Sequence, residues 1–226
     1  MVRTAKKNFR AKLAPRGRKP RGLGHERRGE ILAAAKQMFL REGYETVTTR
    51  KLAERVGLSQ TGLYVYFKSK EEVLNAVCRA TFERLAQRYR EVGAEPKAGP
   101  GLLRRLLETY VEFGLEHPDE YQLTFMAGRS APKFHRHRTL AQPFEQQGIG
   151  IQSFLLFRDQ VARLVQAGTI ENIDATLAAS TLWVAAHGLV ALLIARPGYL
   201  VVERQALIDT LVATLRKGLR PGRRGL

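Results

Sequence analysis

Apolar residues recur along most of the chain with the three- to four-residue spacing of amphipathic helices. The first such run begins near His25, and these apolar residues share one helix face: Ile31, Leu32, Ala35, Met38 and Phe39. Gly43 follows the run, at a place where glycine commonly ends a helix. No stretch alternates apolar and polar residues as a half-buried strand does. The pattern therefore predicts an all-α fold without an internal repeat.

Capping residues and glycines divide the rest of the chain into further helices. Thr48, Ser59 and Ser69 each precede a run with helical spacing, where a side-chain oxygen can accept from a backbone N–H of the first turn. Gly57 marks a tight turn between the first two of these runs. The helices predicted after the first are 49–56, 60–67, 70–92, 101–116, 118–128, 144–167, 172–195 and 202–218. Residues 129–143 are predicted to be irregular.

The net charge of +17 belongs to the two ends of the chain rather than to its body. Residues 1–28 contain 11 Lys or Arg and one acid, and residues 216–226 contain five basic residues and no acid. Residues 1–24 are also rich in Pro and Gly and have no sustained periodicity, so we predict a disordered basic arm. Basic ends of this kind suit a polyanion, either nucleic acid or an anionic membrane surface.

Cysteine usage and hydropathy predict a soluble intracellular protein. Cys78 is the only cysteine, so no internal disulfide is expected, which fits a reducing compartment. The basic N-terminus is not followed by the apolar run of a secretory signal. The most apolar stretch, 177–195, is interrupted by polar residues, and we interpret it as a buried helix rather than a membrane span.

Residues 49–67 have the pattern of a helix-turn-helix. Ala53 is small where two helices would cross closely, and Gly57 lies four residues later, where a tight turn favours a positive φ. The apolar residues expected to face inward are Leu52, Val56, Leu58 and Leu63. The residues left to face outward are Gln60, Thr61, Gly62, Tyr64 and Tyr66. In such a motif the second helix enters the major groove of DNA with its N-terminal residues at the base edges.

The chemistry of the outward side chains fits contacts with DNA. Gln60 and Thr61 can hydrogen-bond base edges, and Gly62 lets the backbone come close. The residues suited to hold phosphates are Tyr64, Tyr66, Lys68 and Lys70. For the two tyrosines taken alone, a role in the core or on a solvated surface is the alternative. Arg50 is a further candidate for a contact with DNA, and a solvated helix charge is the alternative.

The segment ILAAAKQMFLREGYETVTTRKLAERVGLSQTGLYVYFKSKEEVL (31–74) resembles the DNA-binding domain of tetracycline-repressor-like (TetR) transcriptional regulators. The resemblance is carried by LAERVGLS, by LYVYFKSKEEVL, and by Phe39, Gly43, Tyr44 and Thr48. Together with the side-chain chemistry it predicts DNA contacts at Thr48, Thr49, Arg50, Gln60, Thr61, Gly62, Tyr64, Tyr66, Lys68 and Lys70.

A second segment, LWVAAHGLVALLI (182–194), is similar to the Trp and His-Gly pattern of one group of TetR C-terminal domains. Trp183, His187 and Gly188 carry this similarity. The resemblance implies a small-molecule effector, and a homodimer in which the last two helices pair with those of a second copy. The predicted parts are the arm (1–24), a helix-turn-helix DNA-binding domain (25–70), a ligand-binding and dimerisation domain (71–218) and a basic tail (219–226).

Candidate effector contacts are aromatic residues of the C-terminal helices, together with the Trp and His of that pattern. They are Phe113, Tyr121, Phe125, Phe154, Phe157, Trp183 and His187. The apolar members are equally suited to a core, and a satisfied core histidine is the alternative for His187. Their character predicts a hydrophobic or aromatic ligand. No cofactor or metal is predicted, and the HRHR run (135–138), without a nearby carboxylate or cysteine, is interpreted as a basic loop.

The arm contains RGRKPRG (16–22), which offers a further set of DNA contacts. Arg16, Arg18 and Arg21 resemble the short basic hooks that lie in narrow minor grooves, where the negative potential attracts arginine. A solubilising tail or a non-specific phosphate tether is the alternative.

The sequence thus predicts a homodimeric, sequence-specific transcriptional repressor that binds a palindromic operator in double-stranded DNA. It is expected in the cytoplasm, associated with the nucleoid, with operator binding modulated by a small apolar ligand. The competing hypothesis is an architectural DNA-binding protein without a ligand, in which the basic ends dominate. An enzyme is not predicted, because no Ser/His/Asp set, paired carboxylates, metal cluster or phosphate loop is recognisable.

Overall fold

The fold is described from a computed structural model that covers residues 24–94, 99–126, 144, 148–170, 173–198 and 202–218. The helices are α1 Gly24–Glu42, α2 Thr49–Arg55, α3 Gln60–Tyr64, α4 Lys70–Gly93, α5 Pro100–Glu116, α6 Pro118–Tyr121, α7 Ile149–Gln166, α8 Ala175–Ala195 and α9 Arg204–Gly218, with a π-helix, Gln122–Met126, directly after α6. These ranges contain no strand, and the all-α prediction is confirmed. The predicted arm with Arg16, Arg18 and Arg21, the HRHR run and the basic tail lie outside the described residues.

The predicted caps form as the sequence indicates. The side-chain oxygens of Thr48, Ser59 and Ser69 accept from the backbone N–H groups three residues ahead, at 3.2, 3.0 and 3.0 Å. Gly43 and Gly57 have φ of 81° and 67°, in the left-handed region that glycine adopts without strain. These local signals separate α1, α2, α3 and α4.

Helix α3 is shorter than predicted, ending at Tyr64 instead of residue 67. The backbone N–H groups of Tyr66 and Phe67 both donate to the carbonyl oxygen of Leu63, at 2.9 and 3.0 Å. This tightened turn satisfies the end of α3 and turns the chain toward Ser69. Phe67 is thereby buried in the core.

The buried residues form two apolar cores joined by α4. The N-terminal core comprises α1, α2, α3 and the first part of α4, where Cys78 is fully buried, together with Leu123 of the π-helix. The C-terminal core comprises the second part of α4 with α5, α7, α8, α9 and Tyr121 of α6. Within α4, Val73 belongs to the first core and Tyr89 to the second. Because α4 contributes to both cores, it connects the two halves of the chain.

Close packing of α5 on α8 depends on Gly114. A Cβ built on Gly114 would lie well inside contact distance of Val190 Cγ1 and 3.1 Å from two ring carbons of Tyr121. Valine has little freedom to move aside, since its side chain is branched at Cβ. The two helices can therefore approach each other here only because residue 114 has no side chain.

We expect Gly114→Ala to lower the free energy of unfolding by about 1–3 kcal/mol, the usual cost of overpacking a core. Urea denaturation of both proteins measures this difference. Gly29→Ala is the matched control, because a Cβ at that helical position meets nothing within 4 Å; it should be neutral or stabilising. Equal unfolding free energies for all three proteins would contradict close packing at Gly114.

Candidate DNA interface and effector site

An exposed polar cluster joins α2 to α3 on the surface predicted to meet DNA. The Gln60 Nε2 group donates to Thr49 Oγ1 at 3.2 Å and to the Tyr64 hydroxyl at 3.1 Å. Hydrogen bonds with Thr49 and Gln60 lower the pKa of the exposed Tyr64 hydroxyl below its usual value. We call Thr49, Gln60 and Tyr64 the recognition cluster. Three predicted DNA contacts are thus brought together and held in one orientation.

The other predicted contacts at the start of α2 and α3 surround this cluster. Thr61 is exposed, and Thr48 is exposed while it caps α2. Arg50 donates to Glu54 at 3.0 Å, in a pair whose two side chains are 79% and 63% exposed. Such a surface pair contributes little to stability. Arg50 can therefore exchange Glu54 for a phosphate at small cost.

Gly62 is half-buried in the middle of α3, the recognition helix of the helix-turn-helix. Its backbone N–H donates to Ser59 Oγ at 3.0 Å, and a Cβ at this position would lie 3.2 Å from the same oxygen. The absence of a side chain leaves room for the cap and keeps this turn of α3 narrow. A narrow turn allows the backbone to come close to a ligand, as the sequence predicted for this position.

The predicted phosphate contacts after α3 lie in different environments. Lys68 is exposed, whereas Tyr66 is half-buried and packs against the N-terminal core. The Lys70 ammonium donates to the carbonyl oxygen of Tyr44 at 2.8 Å and lies 4.2 Å from the centre of its ring. A phosphate bound at this place would accept from the same Lys70 ammonium as the carbonyl oxygen of Tyr44, in the turn between α1 and α2.

Arg27 was missed by the sequence analysis, although it fixes how α1 meets the helix-turn-helix. Its guanidinium donates to the carbonyl oxygen of Val56 at 2.9 Å and to Glu30 at 2.6 Å. The first contact holds the start of α1 against the end of α2. No sequence signal marks it, because Val56 lies 29 residues further along the chain.

A buried hydrogen-bonded group lies in the C-terminal core. The Tyr121 hydroxyl is 2.5 Å from His187 Nδ1, and the Tyr110 hydroxyl is 3.2 Å from the same nitrogen and 3.0 Å from the Tyr121 hydroxyl. Burial lowers the pKa of His187 and raises the pKa of both tyrosines. The imidazole is therefore neutral at pH 7, and the tyrosines are protonated. When a tyrosine hydroxyl donates to Nδ1, the single ring proton lies on Nε2, which has no hydrogen-bond partner among the described residues.

Aromatic rings surround this group. Trp183 stacks on His187 with ring centres 5.3 Å apart, Tyr121 stacks at 5.5 Å, and Phe125 lies at 6.0 Å. We call Tyr110, Tyr121, Phe125, Trp183 and His187 the aromatic cluster. It brings together four of the seven candidate effector residues. No sequence signal singles out Tyr110, because a tyrosine within an apolar helix face is typical of a core.

The remaining effector candidates lie apart from the aromatic cluster or deep in the core. Phe113 has no exposed surface, and Phe157 is 2% exposed and packs on Tyr89. Phe154 is half-buried and packs against the C-terminal core. Phe113 and Phe157 are thus core side chains in this conformation.

The pKa of His187 predicts how stability depends on pH. Its pKa is lowered in the folded chain, so below about pH 6.5 the unfolded chain binds more protons and the free energy of unfolding falls. As pH falls, the loss of stability begins near the ordinary pKa of histidine and continues until the lowered pKa of His187 is passed. We expect urea denaturation between about pH 7 and 5 to show a smaller fall for His187→Gln than for the unaltered protein. His117, whose pKa is also lowered by burial, is present in both proteins; parallel curves would contradict a buried neutral His187.

Helix α8 carries an exposed apolar stripe. Leu177 is 56% and Val184 is 61% exposed, and the exposed Thr181 and Gly188 lie on the same face. By length and composition alone α8 is a candidate membrane span, with mean hydropathy 1.9, and 28% of its most apolar window is buried. The prediction of a buried helix at 177–195 therefore holds on one face only. Among the described residues, no three or more His, Cys, Asp or Glu form a group that could hold a metal ion.

Comparisons with known proteins match both halves of the chain. Residues 31–77 match the family described as bacterial regulatory proteins, tetR family, and residues 103–215 match the family described as tetracyclin repressor-like, C-terminal domain. Among solved structures, a protein of unknown function from Rhodococcus sp. RHA1 superposes with a TM-score of 0.69 at 24% identity, covering 90% of this chain and 100% of that one.

Two curated relatives share the N-terminal part of the chain. The HTH-type transcriptional activator FasR of Mycolicibacterium smegmatis is 33% identical over 101 residues, which is 44% of this chain and 46% of that protein. The HTH-type transcriptional repressor KstR2 of Mycobacterium tuberculosis is 37% identical over 71 residues, 31% of this chain and 36% of that protein. The chain thus spans less than half the length of these relatives.

Proposed function

Because the chain belongs to the TetR family of bacterial transcriptional regulators, we propose that it is a sequence-specific DNA-binding regulator whose operator binding responds to a small apolar molecule. The observation that carries this proposal is the recognition cluster, a set of hydrogen-bonding side chains held in one orientation on an exposed helix-turn-helix. Side chains at the start of a recognition helix read base edges in the major groove. The named relatives include an activator and a repressor; we propose repression, the simplest outcome of occupying an operator.

The DNA-binding unit extends from residue 25 to residue 70. Gln60 and Thr61 contact base edges, while Arg50, Tyr64 and Lys68 contact phosphates along the groove. Lys70, which already contacts the Tyr44 carbonyl oxygen, adds its remaining N–H groups to a phosphate. Arginines of the basic arm extend these contacts into the neighbouring minor groove, where arginine is attracted by the negative potential.

The working form is a homodimer built on α8 and α9. Support comes from the exposed apolar stripe of α8 with Leu177 and Val184, since contiguous exposed apolar surface commonly marks an interface. A two-fold axis through this interface would present two recognition helices to the two halves of a palindromic operator. One helix-turn-helix alone reads few bases, so both copies are required for specificity.

The effector binds within residues 71–218, against the aromatic cluster. Stacked rings offer an apolar surface, and the His187 Nε2–H is a hydrogen-bond donor without a partner among the described residues. An apolar or aromatic molecule with one acceptor oxygen fits this combination. Its binding favours one of two arrangements of the domains, and only a difference in affinity between those arrangements shifts operator binding. Helix α4, which contributes to both cores, carries the motion.

A second candidate function is supported by the charge at the ends of the chain. With +17 overall, an architectural protein that holds DNA mainly through its basic arm and tail, without an effector, is the alternative. Such binding follows salt concentration and shows little preference between sequences. In either case the protein is expected to act in the cytoplasm, on the nucleoid.

Selection of genomic fragments with the purified full chain, at about 150 mM salt, tests the proposed function. We expect one palindromic motif to be recovered. The same selection with residues 1–24 removed assigns to the arm any motif positions that are then lost. Recovery of fragments without a shared motif would support the architectural alternative and overturn the base contacts assigned to Gln60 and Thr61.

A further inference from the structure

One short segment of the chain contributes to both cores. Residues 118–126, comprising α6 and the π-helix, are called here the bridging segment. Tyr121 is fully buried in the C-terminal core, while Leu123, two residues later, is buried in the N-terminal core. The segment contacts both α1 and α4. Closely spaced residues of this segment are therefore held by the two different halves of the molecule.

Glu120 fastens this segment to the DNA-binding unit. Its side chain is only 13% exposed, and its two carboxylate oxygens have different partners: Oε1 accepts from Lys36 of α1 at 3.0 Å, and Oε2 accepts from Arg84 of α4. Charge-assisted hydrogen bonds from two cations offset the desolvation of a carboxylate. If Lys36 or Arg84 moved away, the carboxylate of Glu120 would lose one of its two charged partners. The arrangement therefore resists small displacements of the bridging segment.

The next residue fastens the segment to the aromatic cluster. The Tyr121 hydroxyl contacts His187 Nδ1 and the Tyr110 hydroxyl, and its ring stacks on the imidazole. Glu120 and Tyr121 are consecutive in a helix of four residues. A displacement of Tyr121 by a molecule at the aromatic cluster must therefore displace the carboxylate that holds α1.

The π-helix gives this connection a second attachment. The Cys78 thiol of α4 lies 3.9 Å from the Leu123 carbonyl oxygen, and the Leu123 side chain packs in the N-terminal core. π-helical turns are rare and are frequently found at functional sites. The turn places Leu123 against α1 and α4 directly after Tyr121.

We propose that Glu120 is a positioning residue that couples the aromatic cluster to helix α1, with Lys36 as its receiving partner. The carboxylate holds α1 in register with the bridging segment, so the arrangement around Tyr121 sets the position of α1 and, through it, of the helix-turn-helix. The coupling itself is a property of the chain; only its effect on operator binding rests on the proposed function.

Glu116 shows what distinguishes Glu120 from an ordinary ion-paired carboxylate. It is the last residue of α5 and pairs with Arg88 of α4, and its side chain is 52% exposed. No ion pair joins Glu116 to α1 among the described residues. Glu116→Gln therefore removes the same charge from the same neighbourhood without touching the connection to α1. It is the matched control for Glu120→Gln.

Hydrogen exchange of the full chain, read at the amides of residues 31–40 in α1, tests the coupling. Tyr121→Phe removes the hydroxyl that holds the bridging segment to His187, and we expect it to speed exchange in α1 by about threefold or more. The same substitution should have no further effect on α1 in a Glu120→Gln background, because the connection is already broken. In a Glu116→Gln background its full effect should be retained. A purely structural role for Glu120 predicts additive effects instead.

Each outcome decides the proposal. It is overturned if Tyr121→Phe leaves exchange in α1 unchanged, or if its effect is the same with and without Glu120. Should Glu120→Gln fail to fold, Lys36→Met replaces it, since it breaks only the bond to α1; it must then abolish the effect of Tyr121→Phe.

Operator affinity of the same variants separates this inference from the proposed function. If an operator is found, Tyr121→Phe should change the dissociation constant for the operator by about threefold or more. In the Glu120→Gln background, the same substitution should leave this constant unchanged. If no operator exists, the proposed function fails while the exchange result still decides the coupling. If an operator is found but the substitutions have additive effects on hydrogen exchange in α1, only the proposed coupling is overturned.

Discussion

Replacing Val184 with glutamate is expected to dissociate the proposed homodimer and to weaken operator binding by about 100-fold or more. Val184 is 61% exposed in the protomer, so the new carboxylate stays hydrated in a single chain and the fold is kept. In the proposed dimer the same carboxylate would face the partner's α8 without a counter-charge, and burial of an unpaired charge costs several kcal/mol. A monomer holds one half-site, so it loses most of its specific affinity.

Analytical ultracentrifugation gives the oligomeric state, and anisotropy of a labelled operator duplex gives the dissociation constant. Val184→Thr is the matched control, because threonine keeps the shape of valine without adding a charge; it should remain dimeric. A Val184→Glu protein that stays dimeric and binds as tightly as before would exclude this face of α8 as the interface.

Gln60→Ala is expected to lower operator affinity by about tenfold or more and to relax base preference at one position in each half-site. Gln60 lies at the start of the recognition helix, and its amide is oriented by Thr49 and Tyr64. A side chain that contacts a base edge contributes to affinity only when the right base is present. The number of phosphate contacts is unchanged, so the slope of affinity against salt should stay the same.

Arg50→Ala provides the contrast for Gln60→Ala. Arg50 is assigned to a phosphate, so its loss should weaken all DNA sequences alike and reduce the salt slope by about one. Titrations of operator and base-substituted duplexes over a series of salt concentrations measure both properties. If Gln60→Ala reduces the salt slope and leaves the base preference intact, Gln60 contacts the backbone and not a base.

The parts of the fold that local chemistry determines were predictable from the sequence. Thr48, Ser59 and Ser69 cap helices because each needs only backbone groups three residues away, and Gly57 turns the chain by its own conformational freedom. Each residue of the recognition cluster was predicted to contact DNA, but the hydrogen bonds that join these residues were not predicted. The hydrogen bond between Thr49 and Gln60 depends on how α2 crosses α3, which a linear pattern does not give.

Contacts between distant segments escaped prediction for a physical reason. Glu120 and Lys36 lie 84 residues apart, and neither differs in sequence from an ordinary solvated helix charge. The effector candidates show the same limit. An aromatic residue on an apolar helix face has the same pattern whether it lines a pocket or fills a core, so Phe113 and Phe157 could not be told apart from Phe125 and Trp183.

A comparison of three affinities shows whether this chain reads DNA sequence as a dimer. At about 150 mM salt, the dissociation constant is measured for the selected operator, for the same duplex with one half-site scrambled, and for a random duplex. We predict that the operator binds about 1,000-fold or more tightly than random DNA, and that scrambling one half-site removes most of this difference. Equal affinities for all three duplexes, varying only with salt, would contradict the account.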